Sequence, residues 1–292
     1  MPGGTQLMIS ALSKLANGSV ELTITIPVKK VKTAYNETLA SLAKSAEIKG
    51  FRKGKAPSKL VEEKLGKKVI LEEVLKSLIP EVYVEAVKEH NLKPIINPQV
   101  QLISTEEEKD WQIKAITCEL PEVKLGKYEE EIRKINAPDK IWVPGRDKKE
   151  TAKKPPEEEK LAKIFKTLLS FCGLQIPGLM IQEEINRMLS RLIDQTARLG
   201  LTVEQYLASV GKSIEKIKEE YRLQAEESLK LELILLAIAE DKKIQITDEE
   251  VTKMIAAAPD KETQKILDTP EQKAYIRQLL RKRQVIDNLS KL

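Results

Sequence analysis

Histidine and cysteine, the residues most used for nucleophilic, acid–base and metal chemistry, are scarce in this chain. It has one histidine, His90, and two cysteines, Cys118 and Cys172. One imidazole cannot build a multi-histidine metal site. Two distant thiols supply neither a four-cysteine zinc site nor a disulfide framework. His90 and Cys118 could formally act as base and nucleophile, but no motif surrounds either, and a lone histidine near a helix end is ordinarily structural. Carboxylates gather at Glu106–Glu108 and Glu157–Glu159, in a turn and at a helix start, where they offset helix dipoles. The expectation is a protein with no active site, no metal and no cofactor.

The stretch Gly50-Phe51-Arg52-Lys53-Gly54-Lys55-Ala56-Pro57 has a different character. A phosphate-cradling loop requires G-x-x-x-x-G-K-[ST] after a strand. Here three residues separate the glycines, Ala56 follows Lys55, and helical spacing precedes the loop, so that reading fails on every count. Phe51 is an aromatic among cations, out of place in a core. An exposed aromatic beside arginine has the composition of an interface anchor, and we read a binding loop in preference to a turn whose Phe folds back. Residues 49–68 hold eight basic side chains (Lys49, Arg52, Lys53, Lys55, Lys59, Lys64, Lys67, Lys68) against Glu62 and Glu63. Such a window either is a solvated helix face or steers an anionic partner.

The elements that must carry this loop follow from period and punctuation. Residues 18–28 alternate, with Val20, Leu22, Ile24 and Ile26 on one face, and predict a half-buried strand. Residues 29–47 switch to helical spacing with a stripe of Val31, Tyr35, Leu39, Leu42 and Ala46. Pro57 suits the start of a short helix and Gly66 its end. A helix over 68–90 is expected to bury Val69, Leu71, Val74, Leu75, Leu78, Val82 and Val87, with a kink at Pro80. Strands over 99–105 and 110–120 follow, joined by the turn Glu106–Asp110. This is a compact α+β domain with a hairpin packed on helices.

Residues 137–156 are rich in Pro and Lys without apolar periodicity, and read as a linker. The rest is helical. An apolar stripe over 177–199 comprises Ile181, Ile185, Met188, Leu189, Leu192, Ile193, Thr196 and Leu199. Thr202–Gln205 and Thr247–Glu250 are capping boxes, and Thr269-Pro270 opens a last helix. The helix over 213–242, about 45 Å long at 1.5 Å per residue, is apolar almost all round from Leu229 to Ala239 and needs partners on several sides. The domains are therefore 1–136, a linker at 137–156, and 157–292. Net charge is +3, +3 and −1 over these three segments. The 292 residues are 33% charged and only 4% aromatic, as in helix-rich soluble proteins. No run reaches a membrane-spanning length, and the opening residues lack a secretory pattern.

The loop resembles the ribosome-docking signature of trigger factor, a bacterial nascent-chain chaperone family. The order of strand, helix, signature loop, two helices and hairpin is similar to that family's amino-terminal domain. Leu174-Gln175-Ile176-Pro177, with Leu179, Ile181 and Glu184, is similar to the start of a long arm helix in its carboxy-terminal part. The resemblance implies an α+β ribosome-docking domain followed by an extended, mostly helical domain with arms, with residues 121–136 passing back toward the helical body to complete its packing. It assigns Gly50, Phe51, Arg52, Lys53, Gly54, Lys55 and Pro57 to ribosome binding. Within that set, Phe51, Arg52 and Lys53 would contact an exit-tunnel protein of the large subunit, with nearby cations on ribosomal RNA. The family normally carries a peptidyl-prolyl isomerase domain between the two parts, and here only the linker fills that place. Residues 1–7 precede Met8 in a way the family does not require, as an expression remnant or upstream start would.

The expected function is a cytoplasmic, ATP-independent chaperone that docks at the tunnel exit and shields nascent or unfolded polypeptides, without isomerase activity or membrane contact. The resemblance leaves a homodimer of the free protein open. The rival readings are a ribosome-independent holdase and a basic nucleic-acid-binding protein. The acidic balance of the helical half and the single aromatic among the cations oppose the second.

Overall fold

The computed structural model describes residues 8–48, 51–52, 54–106, 108–136 and 157–292. The expected linker 137–156 lies outside the described residues. The chain forms two compact units: residues 1–120 with 177–180, and residues 121–176 with 181–292. The packing therefore divides at Leu120, whereas the sequence reading placed the boundary after residue 136.

In the first unit an antiparallel sheet of order β1-β2-β4-β3 carries three helices. The strands are β1 (Ile9–Lys14), β2 (Val20–Ile26), β3 (Gln99–Ser104) and β4 (Trp111–Thr117). β2 buries Val20, Leu22, Ile24 and Ile26 as its alternation predicts, and β4 buries Trp111, Ile113 and Ala115 beside them. The helices are α1 (Val28–Ser45), α2 (Ser58–Leu65) and α3 (Lys67–Glu89). β1 was missed in the sequence because it is an edge strand with little apolar alternation: Ile9 and Ala11 face solvent. α3 continues through Pro80 as one helix. It buries Ile70, Val74, Leu78, Val82 and Ala86, one every four residues, and leaves Val69 exposed. Because α3 is apolar on several sides, its periodicity could not select which stripe meets the sheet.

α1 begins after Pro27 with no capping side chain of its own. Its cap comes from the hairpin turn, where the Asp110 carboxylate accepts the Val28 N–H at 2.8 Å. An orphan donor at a helix start is thereby satisfied by a residue 82 positions away.

The second unit contains α4 (Tyr128–Asn136), α5 (Glu157–Phe171), most of α6 (Gly178–Arg198), α7 (Val203–Ser209), α8 (Ile214–Asp241), α9 (Asp248–Ala256), α10 (Lys261–Leu267) and α11 (Pro270–Lys291). One cluster joins Tyr128 and Ile132 of α4 to Ile164 and Leu168 of α5, Ile234 and Ile238 of α8, and Val285 and Leu289 of α11. The all-round apolar middle of α8 is met by α5 and α11, as its pattern requires. A separate cluster packs Val251 and Ile255 of α9 on Ile276 of α11. On α6, Ile185, Leu192 and Thr196 are buried, whereas Ile193 and Leu199 of the expected stripe are exposed.

Both capping boxes form. The Thr247 hydroxyl accepts the Glu250 N–H at 3.3 Å, and the Glu250 carboxylate accepts the Thr247 N–H at 2.8 Å. Thr247→Ala should lower stability by about 1 kcal/mol, read from denaturant midpoints with an unchanged slope.

Candidate functional site

The loop between α1 and α2 is held by backbone rather than by its charged side chains. Gly54 has φ +78°, and a Cβ there would lie 2.8 Å from the Lys44 carbonyl oxygen at the end of α1. Only glycine fits that approach without moving backbone. The Gly54 N–H points to the Ala46 carbonyl at 3.4 Å, the Phe51 N–H donates to Ile48, and the Lys55 N–H closes a turn onto Arg52 at 2.9 Å. Lys64 of α2 donates to the Glu47 carbonyl. Ile48 and Ala56 pack against the core on either side of the turn. Pro57 then stands at the N-cap of α2, and the Leu60 N–H donates to its carbonyl at 3.0 Å.

With both flanks anchored, the tip projects outward. Phe51 is 44% exposed, and Arg52, Lys55 and Pro57 are exposed. The structure thus selects the outward Phe51 over one folded into the core. Gly50 and Lys53, the other two assigned positions, lie outside the described residues. Sequence reasoning missed Ile48 as an anchor. Its signal was an apolar residue just before the first glycine of the loop.

Charge around this loop follows a fold-wide asymmetry. In the second unit α4, α5, α7, α8, α9, α10 and α11 each have an acidic residue in the first turn. None of the three helices of the first unit does. They open instead with Lys29 and Lys30, with Lys59, and with Lys67 and Lys68. Cations at a helix N-terminus oppose the macrodipole, so these positions concentrate positive potential at some cost in stability. On α2 and the start of α3, Lys59, Lys64, Lys67 and Lys68 are exposed beside Glu63, while Glu62 accepts the Tyr35 hydroxyl at 2.7 Å. The basic run of α11 is different: Arg277 pairs with Asp248, Lys282 with Glu232 and Lys273 with Asp268.

The formal His90–Cys118 pair has no catalytic geometry. Cys118 is fully buried, and burial pushes its thiol up to about 11, so it remains protonated. His90 Nε2 lies 2.9 Å from Ser10 Oγ, and Ser10 donates to Glu89 at 2.5 Å. The carboxylate thus holds the serine and does not orient the imidazole, unlike a nucleophile–base–acid relay.

Similarity to known proteins supports the same reading of the fold. The family model "Bacterial trigger factor protein (TF)" matches residues 8–141, and the model of its C-terminus matches residues 147–291. Only 142–146 separate the two. The trigger factor of Carboxydothermus hydrogenoformans is 24% identical over 373 residues, covering 82% of this chain and 87% of that protein. That alignment is longer than the chain, so the relative has residues without a counterpart here. The trigger factor of Staphylococcus carnosus is 38% identical over 117 residues, which is 40% of this chain and 27% of that one. A solved structure described as "Promiscuous Substrate Recognition in Folding and Assembly Activities of the Trigger Factor Chaperone" superposes with TM-score 0.66 at 15% identity, over 96% of this chain and 99% of that one. With both halves matched by models of one family, the chain belongs to the bacterial trigger factor family.

Proposed function

We propose that the protein is a cytoplasmic, ATP-independent chaperone that docks on the large ribosomal subunit at the tunnel exit, shields emerging polypeptides, and has no prolyl isomerase activity. The observation that carries this reading is the loop at 50–57, whose flanks are fastened to the core while Phe51 and Arg52 stand in solvent. Anchoring at Ile48, Gly54 and Ala56 fixes the backbone on both sides of the tip before binding, which lowers the entropy cost of presenting Phe51 and Arg52. Gly50, Lys53, Gly54, Lys55 and Pro57 complete the docking set, with Phe51, Arg52 and Lys53 meeting exit-tunnel protein. Lysines 59, 64, 67 and 68 supply salt-sensitive attraction to the phosphates of ribosomal RNA. A general nucleic-acid-binding protein is the weaker reading, because Lys273, Arg277 and Lys282 of α11 are paired with carboxylates of their own unit.

The helical unit, 157–292 together with the residues that complete its core, is proposed to hold clients. Leu199, Leu201 and Val210 are exposed in the turns on either side of α7, Ile214 at the start of α8, and Ile266, Tyr275 and Leu279 on α10 and α11. Scattered apolar side chains of this kind accept many sequences without a fixed register. The segment 137–156 is proposed as the linker that takes the place of an isomerase domain.

The test is paired. The purified protein should delay aggregation of a chemically denatured substrate without ATP, and should leave the rate of proline-limited refolding at its uncatalysed value. Failure to delay aggregation overturns the chaperone reading. Catalysed refolding would reveal a prolyl site.

A further inference from the structure

We propose that Glu62 is a positioning residue of the docking loop: by accepting the Tyr35 hydroxyl it fixes α2 against α1, and so sets where Phe51 and Arg52 are presented. The inference rests on the docking reading above and deepens it. Its starting point is a charge of the wrong sign. Residues 49–68 carry eight cations, and each acid among them weakens the attraction to phosphate. Glu63 is exposed to solvent, but Glu62 is half-buried and accepts a hydrogen bond at 2.7 Å from Tyr35 of α1, 27 positions earlier. An acid that opposes the potential of its own window, and is turned toward a tyrosine on the neighbouring helix, has a use other than charge.

The physics of α2 supplies that use. It has eight residues, whereas isolated helices shorter than about 12–15 residues are marginal in water. Its start after Pro57 has no capping side chain, and Val61 is its one buried residue. A short helix seated on a single side chain can roll about its own axis. At 3.6 residues per turn, Glu62 lies about 100° to one side of Val61 and Lys64 about 60° to the other. Both sides are tied to the flank on which the loop begins: Glu62 to Tyr35 within α1, and Lys64 to the Glu47 carbonyl just past its end. The two ties oppose rolling in opposite directions.

The tyrosine tie is the stronger of the two. Both are charge-assisted, but Lys64 is exposed and water competes for its ammonium, while the Tyr35–Glu62 bond is half-buried. Pro57 is at once the N-cap of α2 and the last residue of the loop. A roll of α2 therefore shifts the far flank of the loop while Gly54 stays against the end of α1, and the tip between them turns.

The experiment separates position from charge. Glu62→Gln and Glu62→Ala remove the same charge, but only glutamine keeps an oxygen within reach of the Tyr35 hydroxyl. Binding of the full-length variants to purified ribosomes is measured at two salt concentrations. Glu62→Gln should bind as tightly as the parent or more tightly, since the window has lost an acid. Glu62→Ala and Tyr35→Phe should bind about tenfold more weakly, as the loss of one charge-assisted hydrogen bond implies. Glu62→Ala should nevertheless share the salt dependence of Glu62→Gln. The double variant Tyr35→Phe/Glu62→Ala should be no weaker than either single one, because both break the same tie. Circular dichroism at the binding temperature checks folding, and Tyr35→Phe, which keeps its ring in place, carries the test if Glu62→Ala does not fold. Equal affinities of Glu62→Gln and Glu62→Ala, parent-like binding of Tyr35→Phe, or additive losses in the double variant would each overturn the proposal. Failure of the docking reading looks different: a Phe51/Arg52/Lys53 alanine variant that still binds ribosomes refutes the loop as the site, whatever happens at Glu62.

Discussion

Alanine at Phe51, Arg52 and Lys53 together should abolish cosedimentation with ribosomes and leave the fold intact. The tip contributes no buried side chain at the described positions: Phe51 is nearly half exposed and Arg52 is exposed. The contacts that shape the loop come from Gly54, Ile48, Ala56 and Lys64, none of which the substitution touches. Unfolding should therefore shift by no more than about 0.5 kcal/mol, as for surface substitutions generally. Binding should fall by about a thousandfold, the consequence of losing two anchors worth about 2 kcal/mol each. Raising salt should weaken the parent protein's docking, since the surrounding lysines act through screened attraction. Unchanged cosedimentation of the triple variant would sink the assignment.

The second large effect concerns where the helical half can be cut. The sequence reading begins it at residue 157 and expects residues 121–136 to complete its packing; α4, within that segment, lies in its core. Ile132 is fully buried, Tyr128 is 4% exposed, and both lie among α5, α8 and α11 side chains. Asn136 donates to the Leu289 carbonyl at 2.9 Å, and Lys242 pairs with Glu129. That pairing holds the Glu129 carboxyl below the usual carboxylate range. Removing α4 strips two large side chains from the cluster, at about 2–3 kcal/mol each before any cavity cost. Against a net stability of about 5–15 kcal/mol, that loss together with the cavity left among α5, α8 and α11 removes most of the margin, and we expect the unit to lose its cooperative fold. A fragment of 157–292 should bind a hydrophobic dye and melt without a sharp transition, whereas 121–292 should unfold cooperatively. The longer fragment should delay aggregation at high as well as low salt, without ribosome affinity. A cooperative melt of 157–292 at the temperature of the longer fragment would refute this account of the core.

Much of this protein was legible in the residues because the relevant signals are local. Strand β2 is visible as four alternating β-branched or leucine residues. The capped helix starts at Thr202, Thr247 and Thr269 are visible because a cap is a contact across three positions. The all-round apolar run of α8 announces that it needs several partners. The loop at 50–57 is visible because glycine, phenylalanine and cations at that spacing fit no core and no phosphate cradle. The absence of a histidine- or cysteine-based site from the reading followed from composition alone.

The remainder depended on which distant segments meet. β1 is a strand because β2 offers it a partner edge, and its own side chains carry almost no pattern. Nothing local distinguishes Val69 from Ile70 on a helix that is apolar on several sides, and the sheet beneath α3 makes that choice. The resemblance sends residues 121–136 back to the helical body, but the folded chain decides that Ile132 of α4 is buried by α5, α8 and α11, the last more than 130 residues downstream. Asp110 caps a helix 82 residues before it, and Gly54 is obligatory because of a carbonyl on α1. Periodicity reports that a face must be covered, and only the folded chain, by excluding water from particular pairs of faces, decides what covers it.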